Sequence, residues 1–167
     1  AGTTHRFGAP PRRIVSMMPS ATESLCALGG CARLVGVDRY ADWPAEVQRL
    51  PRLGGLDDAA VEAIVALRPE VVLASTSAHA LARLQALGIP VLRLKSDSHD
   101  DVRRSLTTLA TLLGRPADGE RLWADIGRTL DAAAARVPPA LRGARLYVEV
   151  GSGPYAAGPE SFIGQTL

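Results

Sequence analysis

The sequence predicts an α/β protein: an open, mostly parallel sheet lobe with helices on both faces, then a long helical segment and the start of a second α/β lobe. Three observations carry this. Apolar runs begin at Ile14, Leu34, Val71 and Val91, each short enough to be a strand buried on both faces, and helix-type sequence fills the intervals between them. Residues 100–138 then read as helix with no strand between. After Pro138-Pro139 the run Leu146-Tyr147-Val148-Glu149-Val150 restarts the strand pattern.

Taken in order, residues 3–7 read as a short edge strand, and Gly8-Ala9-Pro10-Pro11 is the loop into the first buried strand at Ile14. Pro19 stops that strand. Ser20-Ala21-Thr22-Glu23 has the form of a capping box, Ser20 capping and Glu23 reaching back, so a helix is expected from Ser20 to the Gly29-Gly30 pair. The second strand is Leu34-Val35-Gly36-Val37, and a strand, helix and strand this compact must cross over to lie parallel. Asp38-Arg39-Tyr40-Ala41-Asp42-Trp43-Pro44 follows as a polar and aromatic loop, with a short helix through Val47 and Leu50.

Leu53-Gly54-Gly55-Leu56 reads as a tight turn, and Asp57 and Asp58 favour a helix N-terminus for the amphipathic run Val61, Ile64, Val65, Leu67. Pro69 ends that helix before the apolar strand Val71-Val72-Leu73-Ala74. Ser75-Thr76-Ser77 is expected to cap the next helix, whose Leu81, Leu84 and Leu87 recur every three residues until Gly88. Val91-Leu92-Arg93-Leu94 supplies a fourth strand. In an open parallel sheet, ligands sit beyond the C-terminal strand ends, which aligns residues 18–22, 38–43, 75–77 and 95–98 along one rim.

Val102, Leu106, Leu109, Leu112 and Leu113 form one apolar helix face, closed by Gly114-Arg115-Pro116. A second helix starts near Ala117-Asp118 and carries Leu122, Ile126, Leu130 and Val137. About twenty residues at 1.5 Å rise span roughly 30 Å, the width of a small domain, so this helix is long enough to join two lobes. The chain thus divides into an N-terminal lobe at residues 1–98, a helical segment at 99–138 and the opening of a further lobe at 139–167. A strand with one helical turn, begun at Glu160-Ser161, cannot bury itself, so most of that lobe is expected to lie beyond Leu167.

Composition narrows the function. No window approaches the roughly 18 apolar residues of a membrane-spanning helix, and Ala1-Gly2-Thr3-Thr4-His5 lacks the basic-then-apolar form of a leader, although one removed upstream fits the same sequence. The net charge of +2 comes from scattered arginines, which gives nucleic-acid binding little support. GxSxG, Walker and GxGxxG patterns are absent, and no Ser, His and Asp pattern defines a triad, so the sequence gives no sign of an enzyme. His5, His79 and His99 show no metal-ligand spacing with each other or with the cysteines. Cys26 and Cys31 flank the Gly29-Gly30 reversal, which brings them within disulfide range; a bond or two buried thiols both fit.

The motifs Arg13-Ile14-Val15-Ser16 with Pro19-Ser20-Ala21-Thr22-Glu23, Leu34-Val35-Gly36-Val37-Asp38 with Tyr40 and Trp43-Pro44, Gly54-Gly55, residues 62–72 and Leu87-Gly88-Ile89-Pro90-Val91 together resemble the substrate-binding proteins of bacterial ABC importers for cobalamin, haem and ferric siderophores. Order and spacing match from about residue 12 onward. The resemblance implies two Rossmann-like lobes joined by the helix at residues 117–137, a cleft between them and little hinge motion. It also implies a periplasmic, or extracytoplasmic and lipid-anchored, protein that hands a metal-chelate cargo to a permease and keeps no resident cofactor. The chain is most similar to the cobalamin-binding branch, where Tyr40 matches an aromatic that packs on the corrin. It departs at Leu56 and Ser75, where that branch has Trp.

Each candidate residue carries two readings. Capping accounts for Ser20, Thr22 and Glu23, while the amides of the same helix N-terminus suit a ligand carboxylate or phosphate. Tyr40 and Trp43 either cover the end of the core or hold a flat macrocycle by stacking. By the resemblance, Leu56 and Ser75 stand at further cleft positions, and Tyr155, on the turn opening the second lobe, is a further candidate to face the cleft. Glu62 is a solvated helix residue or, by the resemblance, the acid that docks on an arginine of the permease. The competing class is an intracellular flavodoxin-like domain using the same rim for a nucleotide.

Overall fold

A computed structural model describes residues 5–55, 57–78, 82–151 and 153–167. Its centre is a four-stranded sheet of β1 (Ile14–Ser16), β2 (Leu34–Val37), β3 (Val71–Ser75) and β4 (Val91–Leu94), in the order β2-β1-β3-β4. Every pairing is parallel: Ile14 lies beside Leu34 and Val71, and Val72 beside Val91. The four apolar runs are therefore the four strands, and their C-terminal ends share one edge.

Alternation along the strands divides the core in two. Ile14, Val71 and Leu73 point to one face, where they meet Ala21 and Leu25 of α1 (Pro19–Ala27) and Leu109 and Ala110 of α4 (His99–Leu112). Val15, Val72 and Ala74 point to the other, against Val61 and Ile64 of α2 (Val61–Ala66) and Leu84 of α3 (Ala82–Ala86). Helices thus cover both faces, as a parallel sheet requires. Leu87, expected on the buried stripe with Leu84, is exposed, and Leu81 lies outside the described residues.

Helix starts differ from the sequence expectation. α1 begins at Pro19, with Met18 as its cap residue and no side-chain cap. Proline suits this first position because its missing N–H would have no intrahelical partner there. Ser20 consequently lies inside the helix, and the expected Ser20–Glu23 capping box does not form. α2 is likewise preceded by Ala60 without a side-chain cap, so Asp57 and Asp58 do not cap it. Ser75 and Ser77 bond each other at the end of β3; the start of α3, whose first described residue is Ala82, lies outside the described residues, and the capping expectation lies there with it. Ser98, by contrast, does cap α4, accepting the Asp101 N–H.

The end of α1 is closed by several groups at once. Gly29 adopts φ +76°, a left-handed turn that glycine takes without Cβ strain, and Gly30 N–H returns to Leu25 O at 2.8 Å. The Arg115 guanidinium donates to Leu28 O. Across this reversal Cys26 and Cys31 are joined as a disulfide, with Cα atoms 4.1 Å apart.

α5 (Pro116–Ala135) is the expected long helix. It packs on α4 through Gly119, where a Cβ would lie 2.8 Å from Thr107 Cα, so only glycine permits the approach. Arg103 grips Glu120 beside it with two donors at 2.8 and 3.1 Å. Beyond Leu130 the helix is exposed on all sides. His5–Phe7 is not a strand, and residues 3 and 4 lie outside the described residues. The expected strand at 146–150 is also absent. Among the described residues it finds no neighbour to form a ladder and makes only an antiparallel bridge, Glu149 to Ala156. α6 (Phe162–Thr166) follows, capped by Ser161, close to the expected helix start.

Candidate functional site

The loops leaving the four strands form the rim, and its most exposed large side chains are Tyr40 and Trp43, 70% and 65% accessible. The loop carrying Tyr40 is nevertheless tightly held. Asp38 is buried at the end of β2; its carboxylate accepts the Tyr40 N–H at 2.7 Å and its carbonyl accepts the Ala41 N–H at 3.2 Å. Arg52 donates to Ala41 O and to Asp38 O. Arg39 N–H donates to Gly54 O at 2.8 Å, and its guanidinium pairs with Asp58 while lying 5.9 Å from the Tyr40 ring centre.

Asp58 closes this arrangement by accepting the Gly55 N–H at 2.9 Å. The Gly55 amide above all, with the Arg39 charge adding to it, holds the Asp58 carboxyl below its ordinary value. The two loops bearing Tyr40 and Gly54-Gly55 are thereby one braced unit, and the phenol ring stands beside Gly55. Sequence reasoning missed Asp38, Arg39 and Asp58 as parts of the site. A local signal existed for the first: an aspartate two residues before the aromatic is the pattern of an Asx turn.

The remaining candidates divide. Ser20 is exposed on the rim, in a crevice shared with Lys95 and Ser96 of the β4–α4 loop. Thr22 is fully buried and its hydroxyl donates to Met18 O at 3.3 Å, which removes it from the ligand-facing surface and corrects that expectation. Ser75 is half-buried on the rim; its hydroxyl lies 2.9 Å from that of Ser77, and Arg93 braces the turn by donating to Ala78 O at 3.0 Å. Leu56 lies outside the described residues.

Tyr155 is exposed, in a hairpin where its carbonyl accepts the Val150 N–H at 2.8 Å, and no described contact joins it to Tyr40. Glu62 stands exposed in the first turn of α2, 3.3 Å from Arg83. Among the described residues no cluster of acids, histidines and cysteines has metal-binding geometry, and no helix is long and apolar enough to cross a membrane.

Chemically, this edge offers the Tyr40 ring on a braced loop, while Trp43 of the same loop lines a groove with Glu23 and Ala27 of α1, Val102 of α4 and Ile126 of α5. The N-terminus of α1 on the same strand edge has no side-chain cap over its first amides. It is suited to a large, flat, partly anionic molecule.

The sequence model of the periplasmic binding protein family matches residues 14–167. The vitamin B12-binding protein of Pectobacterium carotovorum is 30% identical over 153 residues, covering 87% of this chain and 54% of that protein. The cobalamin-binding protein of Halobacterium salinarum is 31% identical over 173 residues, covering 100% of this chain and 47% of that protein. Among solved structures, a periplasmic heme-binding protein of Roseiflexus sp. RS-1 superimposes with a TM-score of 0.72 at 30% identity, over 92% of this chain and 60% of the other. The chain therefore spans about half the length of the curated relatives it matches.

Proposed function

The chain belongs to the periplasmic binding protein family, and on that premise we propose that it forms one wall of the cleft in which the substrate-binding component of an ABC importer captures a cobalamin-like corrinoid. The observation that carries this reading is Tyr40, a largely exposed ring at the C-terminal strand edge, braced from beneath by Asp38, Arg39 and Asp58. Exposed aromatics normally lose conformational freedom on binding, but this ring's backbone is already fixed, so more of the burial energy remains as affinity. Trp43, on the same loop, lines the groove beside α1 and α5 and offers a second exposed aromatic ring next to the rim. Ser20, Ser75 and the first amides of α1 supply polar groups at its margin, and Tyr155 belongs to the segment that would approach from the opposite side.

The role is capture and delivery, with no catalytic step. The cargo leaves through an inner-membrane permease, for which exposed Glu62 is the docking acid, and the protein works outside the cytoplasm. The Cys26–Cys31 disulfide supports that location, since such bonds persist in oxidising compartments.

A second reading, haem as cargo, draws on the likeness to the Roseiflexus protein and on the same flat-ring chemistry. Titrating the full-length protein with cyanocobalamin, haemin and a ferric siderophore, following absorbance and heat, separates the readings. Saturable binding of cyanocobalamin in preference to the others supports the corrinoid; tighter haemin binding transfers the assignment to haem. No change with any of the three overturns the proposal.

A further inference from the structure

The residue that ties three helices together just behind the rim is His99, the first residue of α4. Its N–H donates to Gln165 Oε1 at 2.6 Å, and its Nε2 lies 2.9 Å from Thr166 Oγ1, both on α6. Its ring meets Phe162 of α6 edge-on at 5.2 Å and Trp123 of α5 edge-on at 5.7 Å. Next to it, Phe162 N–H donates to Asp97 O at 2.8 Å, so α6 is also joined to the rim loop itself.

Tyr155 is tethered to that anchor. The hairpin holding it is closed by Val150 N–H to Tyr155 O and by Ala157 N–H to Val148 O, at 2.8 and 2.9 Å. From there the turn at Gly158 is tied to Ser161, and Ser161 caps α6. α6 itself is short and carries no buried residue, so packing alone cannot hold it in place. A five-residue helix that keeps a defined position must owe it to specific contacts: the His99 ring supplies those to Thr166 and Phe162, and the main chain of His99 and Asp97 supplies the other two.

We infer that His99 is a positioning residue: it clasps the segment bearing Tyr155 against the rim and so sets the gap between that segment and the Tyr40 loop. The contribution to ligand affinity rests on the binding reading above; the clasp itself does not. Loss of the His99 side chain removes the Thr166 hydrogen bond and both ring contacts, leaving only the main-chain bonds of His99 and Asp97 to α6; it loosens α6 and widens the range of distances across the rim, while the four-stranded lobe, whose core does not include His99, stays folded.

The test uses the full-length protein with His99→Ala, the conservative His99→Gln, and Thr166→Val, which removes only the hydroxyl and serves as the clasp variant should His99→Ala fail to fold. Amide exchange at Gln165 and Leu167 is expected to rise at least tenfold in His99→Ala, and less in His99→Gln. Spin labels on Asp42→Cys and Ala156→Cys, with the native disulfide intact, are expected to give a broadened distance distribution in His99→Ala and a narrow one in the parent and in His99→Gln. Cyanocobalamin, or haemin if that is the better probe, should bind about fivefold more weakly to His99→Ala.

Unchanged α6 exchange and label distances overturn the clasp. So does exchange that rises uniformly over the whole lobe, which marks a merely stabilising residue. If the parent binds neither probe, the functional reading falls, and the exchange and distance measurements alone decide the inference.

Discussion

Replacing Tyr40 by alanine should weaken cyanocobalamin binding about five- to thirtyfold while leaving the fold intact. A tyrosine side chain offers on the order of 200 Å². With 70% of the residue accessible, roughly 140 Å² of it is free, and a flat ligand stacked on one face covers about half of that. At about 25 cal/mol per Å², some 70 Å² of newly buried apolar surface is worth about 1.8 kcal/mol, and pre-ordering of the loop means little of it is spent on immobilisation. The same exposure predicts that the substitution costs the folded lobe very little, because no core contact is lost. Isothermal titration of the parent and Tyr40→Ala proteins, with thermal unfolding of both, measures the two effects separately. Affinity unchanged within twofold would refute the stacking argument. A large fall in thermal stability would refute the claim that the ring is free.

Three further outcomes follow from the structure. Because the Gly55 amide and Arg39 stabilise the ionised Asp58 carboxylate, the folded-state value is depressed; the brace should be fully formed above the ordinary carboxylate range and be lost as pH falls through and below it. Asp58→Asn should remove that acid sensitivity from amide exchange at Gly55, and equal acid profiles for both proteins would contradict it. Intact mass should rise by about two protons on reduction of Cys26–Cys31, and the bond's entropic effect should fall below the ~3 kcal/mol of a 15-residue loop; two freely alkylated thiols in folded, unreduced protein would refute the pairing. Glu62→Arg should leave ligand affinity unchanged but slow transport by the cognate permease in vesicles, with the parent interaction weakening as salt rises; normal transport would return Glu62 to a solvated helix residue.

The parts of this fold that were legible in the sequence are those fixed by burial. Val71-Val72-Leu73-Ala74 is apolar on every residue because both faces of β3 are covered, and its short length, its β-branched valines and the preceding Pro69 distinguish it from a buried helix segment. The stripe Leu106, Leu109, Leu112, Leu113 declared α4 for the same reason. What failed depended on partners remote in sequence or on competition between adjacent signals. Ser20 and Glu23 have the spacing of a capping box, but Pro19, pre-set to helical φ, starts the helix so that the cap falls two residues earlier, at Met18, and the box does not form. Residues 146–150 have strand composition, but a strand needs a ladder, and composition does not reveal whether one is present. At the rim, Tyr40 was legible as a scarce aromatic, whereas its support from Arg39, Asp58 and Gly55 joins residues up to nineteen positions apart and became visible only in three dimensions.

The rim by itself cannot account for tight capture. Two aromatic residues at about 1–2 kcal/mol each give roughly 2–4 kcal/mol, whereas micromolar affinity requires about 8 kcal/mol. The amides at the start of α1 add a modest term for an anionic substituent, and a wet, open edge screens it. Most of the remaining energy must come from covering the opposite face of the ligand, which requires a second surface held at a fixed distance. That requirement gives the rigidity of the Tyr40 loop its purpose: a braced first wall is useful only if the second is also held in register. On the two-lobe reading, the long helix α5, gripped at Gly119 and Glu120 but exposed beyond Leu130, would set the spacing over a long range. The contacts of His99 with α6 set it locally, next to the rim loop. On the corrinoid-capture proposal, affinity is therefore governed as much by what fixes the gap as by the groups that line it.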